Sequence, residues 1–398
     1  MVNILVINAG SSSVKYQLIN MEDESVIAKG LVERIGLDGS CLTHRPTGKD
    51  RFVLEKPMKN HGEGIQEVLK ALVDKDHGVI PDLSSIKAIG HRVLHGGYRF
   101  TQPTIVDDEV LDGIRECIEL GPLHNPANIK GIETCMELMP GVPNVAVFDT
   151  AFHQTMPDYA YLYAIPYEDY EKYKVRKYGF HGTSHRYITQ TVLEYLGKAP
   201  EEVKLVSCHL GNGSSLAAVK DGKCIDTTMG LSPLEGLVMG TRSGDIDASA
   251  IPFLMKKHGM TADEVLTYLN KKSGVLGISG ISSDFRDLES AAAEGNEMAR
   301  TALNMFNYRI RKYIGAYAAA MDGIDVIAFA GGIGENDQDV RREVLEGLGF
   351  LGVKLDLEKN KTRGELKIIS APDSKVTVMI VPTNEELMIA RETQALCM

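Results

Sequence analysis

Residues 8–15, Asn-Ala-Gly-Ser-Ser-Ser-Val-Lys, combine residue types that bind phosphate and separate two hydrophobic runs. A turn that contains glycine lets backbone N–H groups approach an anion closely, and hydroxyl groups add further donors. Ser11 and Ser13 supply such hydroxyls, and Lys15 adds a cation. The stretch is not a Walker P-loop, because it lacks Gly-Lys-Ser/Thr and a strand follows it where that motif requires a helix. It predicts either a phosphate-binding hairpin or an ordinary hairpin turn.

Two more glycine-rich turns extend this interpretation. His-Leu-Gly-Asn-Gly-Ser-Ser at 209–215 also joins two strand-like runs, and its likeness to the first turn indicates either a duplicated domain or a chance resemblance. Gly-Gly-Ile-Gly-Glu-Asn at 331–336 leads from a strand towards a helix that Asn336 or Asp337 could merely cap. Two phosphate-binding hairpins facing each other across a cleft, with the third turn beside a nucleoside, predict an ATPase.

The amino-acid composition limits the classes of protein to which this chain could belong. The 398 residues, 43% of them hydrophobic, are enough for about two domains. The net charge of −11 argues against a nucleic-acid partner, because a phosphate backbone recruits basic faces. The six cysteines show neither a CxxC pair nor zinc spacing, and no signal sequence or apolar stretch of about 20 residues occurs. We therefore expect a cytoplasmic protein with reduced thiols and no membrane span.

The framework that must hold these turns is α/β, because short β-branched runs alternate with amphipathic segments. Strands are predicted at 3–8, 14–19, 86–89, 144–148, 203–208, 215–219, 324–330 and 376–381. Helices are predicted near 63–75, 107–119, 126–138, 186–196, 261–271, 288–320, 337–347 and 385–396. The segment 288–320, rich in Ala, Met and Leu, is expected to be one long buried helix.

A series of motifs along the chain resembles the acetate kinases, within the superfamily that also contains actin, sugar kinases and heat-shock chaperone ATPases. These motifs are INAGSSSVKY, GHRVLHGG, PLHNPAN, FDTAFH, YGFHGTSH, HLGNGSS, GTRSGDID, SSDFRDL, GGIGEN and PTNEELMIARET. They occur in order from residue 7 to residue 393, and their specificity comes from the whole set.

This resemblance implies two duplicated ribonuclease-H-like domains with the active site in the cleft between them. The expected division is 1–149, completed by a C-terminal helix at 386–398, and 150–385 as the nucleotide-binding domain. It implies a homodimer, Mg²⁺ with Mn²⁺ as a possible substitute, and ATP-dependent, reversible phosphorylation of acetate to acetyl phosphate and ADP. A propionate or butyrate kinase is the alternative within the family.

The resemblance also implies a role for each matching residue. Asn8 and Glu385 belong to the metal neighbourhood, and Arg92, His124, Asp149, His181 and Arg242 form the catalytic set. The acid is bound by Arg92 with Leu94, Leu123, Phe180 and Pro233. The nucleotide is surrounded by Ser11, Ser13, Lys15, His209, Leu210, Gly211, Asn212, Gly213, Asp284, Phe285, Arg286, Gly332, Ile333, Gly334, Glu335 and Asn336.

Phosphoryl transfer needs such residue types, because charge on the equatorial oxygens must be neutralised. Arg92 and Asp149 follow predicted strands, and strand ends build sites in open α/β sheets. Arg242 could instead form only a local ion pair with Asp245 or Asp247. The set Arg92, His181 and Arg242 favours a kinase over a chaperone- or actin-like ATPase.

Other local patterns leave further alternatives. His181 and His185 have helical spacing, but without HExxH they do not favour a zinc site. Asp284 could be only a helix cap, and Thr383 with Glu386 has the form of a capping box beside Glu385.

Asp149 is not expected to act as a general base. A carboxylate acceptor with a pKa near 4–5 is already ionised at neutral pH, unlike a sugar hydroxyl. We therefore expect Asp149 to hold an arginine or metal-bound water. Leu94, where the family often has Val, favours acetate by narrowing the acyl pocket, although one methylene changes binding by only about 1–3 kcal/mol.

Overall fold

The computed structural model describes residues 2–122 and 124–398. Its contacts divide the chain into two compact units. Unit 1 comprises Met1–Phe152 together with Asn384–Met398, and unit 2 comprises His153–Thr383. No helix of the described residues is both long and apolar enough to cross a membrane.

The strands include every segment that the sequence predicts as a strand. In chain order they are β1 (Asn3–Gly10), β2 (Ser13–Asn20), β3 (Ser25–Glu33), β4 (Cys41–Pro46), β5 (Phe52–Glu55), β6 (Ile86–Val93), β7 (Thr104–Ile105), β8 (Asn144–Phe148), β9 (Lys204–Leu210), β10 (Ser214–Lys220), β11 (Lys223–Thr227), β12 (Val326–Ala330), β13 (Lys367–Ile368) and β14 (Thr377–Ile380). The sequence analysis missed β3, β4, β5, β7, β11 and β13. These strands lie at or near the sheet edges, where short length and polar residues weaken the hydrophobic pattern.

The α-helices are α1 (His61–Leu72), α2 (Asp108–Glu116), α3 (Asn125–Leu138), α4 (Asp158–Tyr161), α5 (Tyr167–Tyr173), α6 (Gly182–Leu196), α7 (Ala250–His258), α8 (Ala262–Lys271), α9 (Gly274–Ser279), α10 (Phe285–Ala293), α11 (Glu297–Ala320), α12 (Gly331–Asn336), α13 (Gln338–Leu345) and α14 (Glu385–Cys397). The prediction of one helix over 288–320 is wrong. Gly295 adopts a φ of 94°, and the Asn296 side chain accepts a hydrogen bond from the N–H of Ala299. The chain therefore ends α10 and starts α11 with a new N-cap.

Unit 1 is built on an eight-stranded sheet in the order β5-β4-β3-β2-β1-β6-β8-β7. The strands from β5 to β1 are antiparallel neighbours, whereas β1, β6 and β8 run parallel. Helix α14 returns from the end of the chain to this sheet. A Cβ added to Gly90 in β6 would meet Thr393 Oγ1 at 2.5 Å and Ile389 Cγ2 at 2.6 Å, so glycine permits the close contact.

Unit 2 repeats this arrangement with a six-stranded sheet in the order β11-β10-β9-β12-β14-β13. Strands β11, β10 and β9 are antiparallel, and β9, β12 and β14 are parallel. The order and directions of β3-β2-β1-β6-β8 are thus the same as those of β11-β10-β9-β12-β14. This agreement confirms the α/β class and the duplication expected from the two glycine-rich hairpins, and the five-stranded pattern is that of the ribonuclease H fold.

Candidate active site

The first glycine-rich turn joins β1 and β2 in unit 1. Gly10 pairs with Ser13 across the hairpin, and Asn8 pairs with Lys15. Lys15 and Ser11 are exposed. The imidazole of His61 hydrogen-bonds the carbonyl of Gly10 at 2.6 Å, which ties the turn to the start of α1. The hairpin therefore presents hydroxyl groups and one ammonium group from a fixed backbone.

Arg92 and Asp149 meet because β6 and β8 are parallel neighbours. The guanidinium donates from Nη2 to Oδ2 at 2.6 Å and from Nε to Oδ1 at 3.1 Å. The Asp149 side chain is 1% exposed, and the Arg92 side chain is 24% exposed. The negative charge of Asp149 raises the pKa of Arg92. Asp149 thus makes the arginine contact that the sequence analysis expects of it.

Glu385 lies at the start of α14, near the same ion pair. Burial raises the pKa of Glu385 to about 7. The neighbouring carboxylates of Asp149 and Glu386 act in the same direction, whereas Arg92 acts against it. The N-cap is Asn384, which accepts a hydrogen bond from the N–H of Leu387, so the capping box based on Thr383 is wrong. Carboxylate and amide oxygens, such as those of Glu385 and Asn8, are of the type that magnesium prefers as ligands. The described residues contain no cluster of three or more His, Cys, Asp or Glu side chains that could hold a metal ion by themselves.

Three further residues of unit 1 were predicted from the sequence to belong to the site: Leu94, Leu123 and His124. Leu94 is buried, and its N–H donates to Asn128 Oδ1 at 3.0 Å. His124 is the N-cap residue of α3. Leu123 lies outside the described residues.

In unit 2, three predicted residues converge on the turn between β9 and β10. A Cβ added to Gly213 would meet Arg242 Nη1 at 3.3 Å and the Cε1 and Nε2 atoms of His181 at 3.6 Å. The rings of His181 and His209 stack with centroids 4.3 Å apart. His181 has a φ of 56° just before α6. The absence of a side chain at Gly213 therefore leaves space beside a guanidinium and an imidazole.

The guanidinium of Arg242 is half-buried. Its Nη1 donates to the carbonyl of Pro233 at 3.2 Å, and burial lowers its pKa. Within the part of the chain that the structure describes, no carboxylate pairs with it. The local pair with Asp245 does not form. Asp245 instead forms an ion pair with Arg309, whose Nη1 lies 3.0 Å from Asp245 Oδ2.

Pro233 lies in a loop that several hydrogen bonds hold. Tyr163 accepts from the N–H of Leu231 at 2.9 Å and donates to Glu235 in a short bond. The carbonyl of Gly230, in turn, accepts from the N–H groups of residues 178 and 179, which precede Phe180. Phe180 itself is buried. The loop thus links Phe180 and Pro233, both expected to bind the acid, with Arg242 of the expected catalytic set.

A pocket of about 690 Å³ in unit 2 is the right size for a nucleotide. Its walls include residues that the sequence analysis places around the nucleotide: Asn212, Asp284, Phe285, Arg286, Gly332, Ile333 and Asn336. Other residues expected there do not line it: His209, Leu210, Gly211, Gly213, Gly334 and Glu335. Glu335 instead accepts hydrogen bonds at Oε1 from the N–H groups of Gly331 and Thr383. Asp284 lines this pocket and is also the N-cap of α10.

Sequence reasoning missed several residues of this pocket. Lys361 and Arg363 bring two cations to its wall, and the basic run at 359–363 was the available signal. Arg341, fully buried, fixes this wall by donating to the carbonyls of Asn360 at 2.6 Å and Gly334 at 2.8 Å. Glu289 also lines the pocket, and burial together with a hydrogen bond to Asp337 raises its pKa to about 8. No sequence pattern marked Glu289.

The comparisons with known proteins concern the whole chain. A model of the acetokinase family matches residues 3–391. The chain belongs to the acetokinase family. An acetate kinase from Thermoanaerobacter pseudethanolicus is 61% identical over 394 residues, covering 99% of this chain and 98% of the relative.

Solved structures of the acetokinase family agree with this assignment. The acetate kinase of Porphyromonas gingivalis superimposes with a TM-score of 0.97 and 47% identity over the full length of both chains. A propionate kinase from Francisella tularensis gives a TM-score of 0.93 and 42% identity, covering 99% of this chain and 100% of the other. The fold is therefore shared across members named for different acids.

Proposed function

We propose that this protein transfers the γ-phosphoryl group of ATP to acetate, giving acetyl phosphate and ADP in a reversible, direct in-line reaction. Membership of the acetokinase family supports this activity. The observation that carries it is Arg242, a half-buried guanidinium without a carboxylate partner in the described residues, beside His181 and the Gly213 turn. A cation in this setting fits an anionic substrate, because its desolvation is compensated only when an anion binds.

The acid needs orientation rather than deprotonation. Acetate is an anion at neutral pH, so its oxygen can attack phosphorus without a general base. The carboxylate of Asp149 accepts hydrogen bonds from the Nε–H and from one Nη2–H of Arg92. We infer that the Nη1 edge of Arg92 binds the carboxylate and that Asp149 sets the orientation of the guanidinium.

The transferring group needs charge neutralisation. In a loose transition state the negative charge lies on the equatorial oxygens. Arg242 and His181 supply donors on one side of the Gly213 turn, and His124 is proposed to contribute near the same oxygens. Donors that are already in place stabilise this charge without reorganisation.

The 690 Å³ pocket of unit 2 is the proposed nucleotide site. Ile333 and Phe285 offer apolar contacts for a base, and Lys361 and Arg363 add cations that the sequence analysis did not include. Ser11, Ser13 and Lys15 of the first hairpin are proposed to bind the phosphates.

We further propose a Mg²⁺ site at Asn8 and Glu385. The donor set fits, because amide and carboxylate oxygens are ligands of this hard cation. The neighbouring carboxylates disfavour ionisation of Glu385, and a bound cation would favour it. When bound, Mg²⁺ neutralises charge on the nucleotide phosphates.

Acetate is the proposed acid, and propionate is the alternative because of the Francisella tularensis relative. Leu94 and Phe180 are both buried, which fits a small acyl group. We propose that the working form is a cytoplasmic homodimer. Sedimentation at equilibrium would then give twice the chain mass of 43.5 kDa.

The test is acyl phosphate formation. The protein is incubated with MgATP, hydroxylamine and acetate, propionate or butyrate, and the acyl hydroxamate is measured for each acid. We expect acetate to give the highest kcat/KM, and the Arg242→Met variant to form hydroxamate about 10²- to 10³-fold more slowly. ATP hydrolysis without hydroxamate from any acid would contradict the proposed activity, and faster turnover of propionate would change only the substrate.

A further inference from the structure

A chain of buried hydrogen bonds runs behind His181 in unit 2. His181 Nδ1 is 2.9 Å from Ser215 Oγ, and the same Oγ is 2.8 Å from His185 Nε2. His185 Nδ1 is in turn 2.8 Å from Ser207 Oγ. Ser207, His185 and Ser215 are fully buried. The chain therefore connects α6, β9 and β10, and it ends at the imidazole proposed to contact the phosphoryl group.

The number of protons in this chain limits how it can be arranged. Each serine hydroxyl has one hydrogen to donate, and a neutral imidazole has one N–H and one acceptor nitrogen. Burial keeps the pKa of His185 well below 6.5, and the neighbouring His153 and His209 act in the same direction, so His185 is neutral. In the described residues, the hydroxyls of Ser207 and Ser215 have no hydrogen-bond partners other than these histidine nitrogens.

One arrangement gives every buried donor an acceptor. Ser207 donates to His185 Nδ1, His185 Nε2–H donates to Ser215, and Ser215 donates to His181 Nδ1. If His181 Nδ1 carried the proton, the hydroxyl of either Ser207 or Ser215 would lack an acceptor. An unsatisfied buried donor costs about 1–3 kcal/mol, so hydrogen positions inferred from the network favour the first arrangement.

We propose that Ser207, His185 and Ser215 are positioning residues that hold His181 as the tautomer with its proton on Nε2. This inference rests on the proposed role of His181 in phosphoryl transfer. A histidine tautomer is set by the hydrogen bond that the other ring nitrogen makes.

The position of Nε2 gives this tautomer a function. Nε2 lies on the side of the ring that faces the Gly213 turn, where Arg242 Nη1 also lies. A proton on Nε2 makes His181 a donor to an anionic oxygen in that space. If the hydrogen bonds ran in the opposite direction, Nε2 would present a lone pair to the same anionic oxygen, and the two would repel each other.

The direct test is the protonation of individual ring nitrogens. The full-length protein, labelled with ¹⁵N in histidine, is studied by long-range ¹H–¹⁵N NMR, and His181→Gln and His185→Gln spectra assign the two rings. We expect Nε2 protonated and Nδ1 unprotonated in both histidines. A protonated Nδ1 in either ring would overturn the proposal, and this result does not depend on whether the protein phosphorylates acetate.

Variants at Ser215 test the consequence for catalysis. Ser215→Ala and Ser215→Cys both remove the hydroxyl that donates to His181. Of these two, Ser215→Cys comes closer to the original side-chain volume. Ser215→Thr keeps the hydroxyl. We expect kcat to fall roughly 10- to 100-fold in Ser215→Ala and Ser215→Cys, with KM for MgATP unchanged and recovery in Ser215→Thr. Full activity of Ser215→Cys would show that Ser215 serves only packing and would contradict the positioning role.

Discussion

Arg92 and Arg242 are both expected to bind anions, but their surroundings differ at the level of single residues. Asp149 neutralises Arg92 and fixes its orientation. Arg242 has the carbonyl of Pro233 and the sulfur of Met239 as neighbours instead of a carboxylate. The charge of Arg92 is thus compensated within the folded protein, whereas the buried charge of Arg242 opposes folding until an anion binds.

Replacing Arg242 should therefore separate activity from stability. We expect Arg242→Met to lower kcat about 10²- to 10³-fold, because a donor to the transition state is lost. The melting temperature should be unchanged or higher, because a desolvated charge is removed. Steady-state kinetics and calorimetry would measure both effects.

Arg309→Met is the control for this experiment. Arg309 pairs with Asp245 and donates to the carbonyl of Gly236 at 3.0 Å, so its removal should lower the melting temperature. A large loss of stability in Arg242→Met would mean that Arg242 has a structural partner and would count against its proposed role.

Glu289 provides a pH-dependent prediction. Its pKa is raised to about 8 in the folded protein, whereas an unfolded glutamate titrates near 4.3. Between these values the folded state holds a proton that the unfolded state has lost, so this group's contribution to stability falls as pH rises. We therefore expect the melting temperature of Glu289→Gln, measured relative to that of the parent protein, to increase as the pH is raised from 5 to 8.

The comparison is made by calorimetry at several pH values in this range. Glu294→Gln, at the C-cap of α10, is the matched control for replacing a glutamate by glutamine near this helix. A constant difference between Glu289→Gln and the parent protein would show that Glu289 is ionised throughout.

At the level of elements, parallel neighbouring strands explain how distant residues meet. Arg92 in β6 pairs in register with Val147 in β8, and Asp149 follows at the end of that strand. The sequence could place both residues at strand ends, because the hydrophobic runs before them are clear. It could not show that β6 and β8 are neighbours, since their pairing depends on the folded sheet.

The loop from 230 to 236 is the element that holds Pro233. Tyr163→Phe removes the hydroxyl that bonds both Leu231 and Glu235. We expect KM for acetate to rise several-fold with little change in KM for MgATP, because the acid-binding wall loosens. Initial-rate kinetics with each substrate varied would measure this.

Tyr173→Phe is the matched control, because Tyr173 is 57% exposed. It should leave both KM values unchanged. An equal rise of both KM values in Tyr163→Phe would indicate a general disturbance of unit 2 rather than a loosened loop.

Several site elements could not be predicted from the sequence. No sequence pattern marked Glu289 as part of the pocket wall. Arg341 binds residues 7 to 21 positions away in the chain, and this contact depends on the folded backbone. The break between α10 and α11 was also missed, because the helix-forming composition on both sides obscured Gly295. Glycine-rich turns were more predictable, since few other residues can adopt their backbone conformation.

At the level of the whole molecule, two units with the same order of central strands carry different residues of the proposed site. Unit 1 presents the first hairpin, the Arg92–Asp149 pair and Glu385. Unit 2 presents the pocket, His181 and Arg242. The duplication could be predicted from two similar hairpins, because the same strand-turn-strand pattern recurs along the chain. The roles of the individual residues stay predictions.

The central claim is that a carboxylate oxygen of acetate forms the new bond to the γ-phosphoryl group of ATP. Acetate labelled with ¹⁸O in both carboxylate oxygens is incubated with the protein and MgATP, and the products are analysed by ³¹P NMR. We predict ADP and acetyl phosphate whose phosphorus carries one bridging ¹⁸O, because the attacking oxygen stays in the new P–O bond. Formation of AMP with ¹⁸O on its phosphorus, or acetyl phosphate without ¹⁸O on phosphorus, would contradict the account.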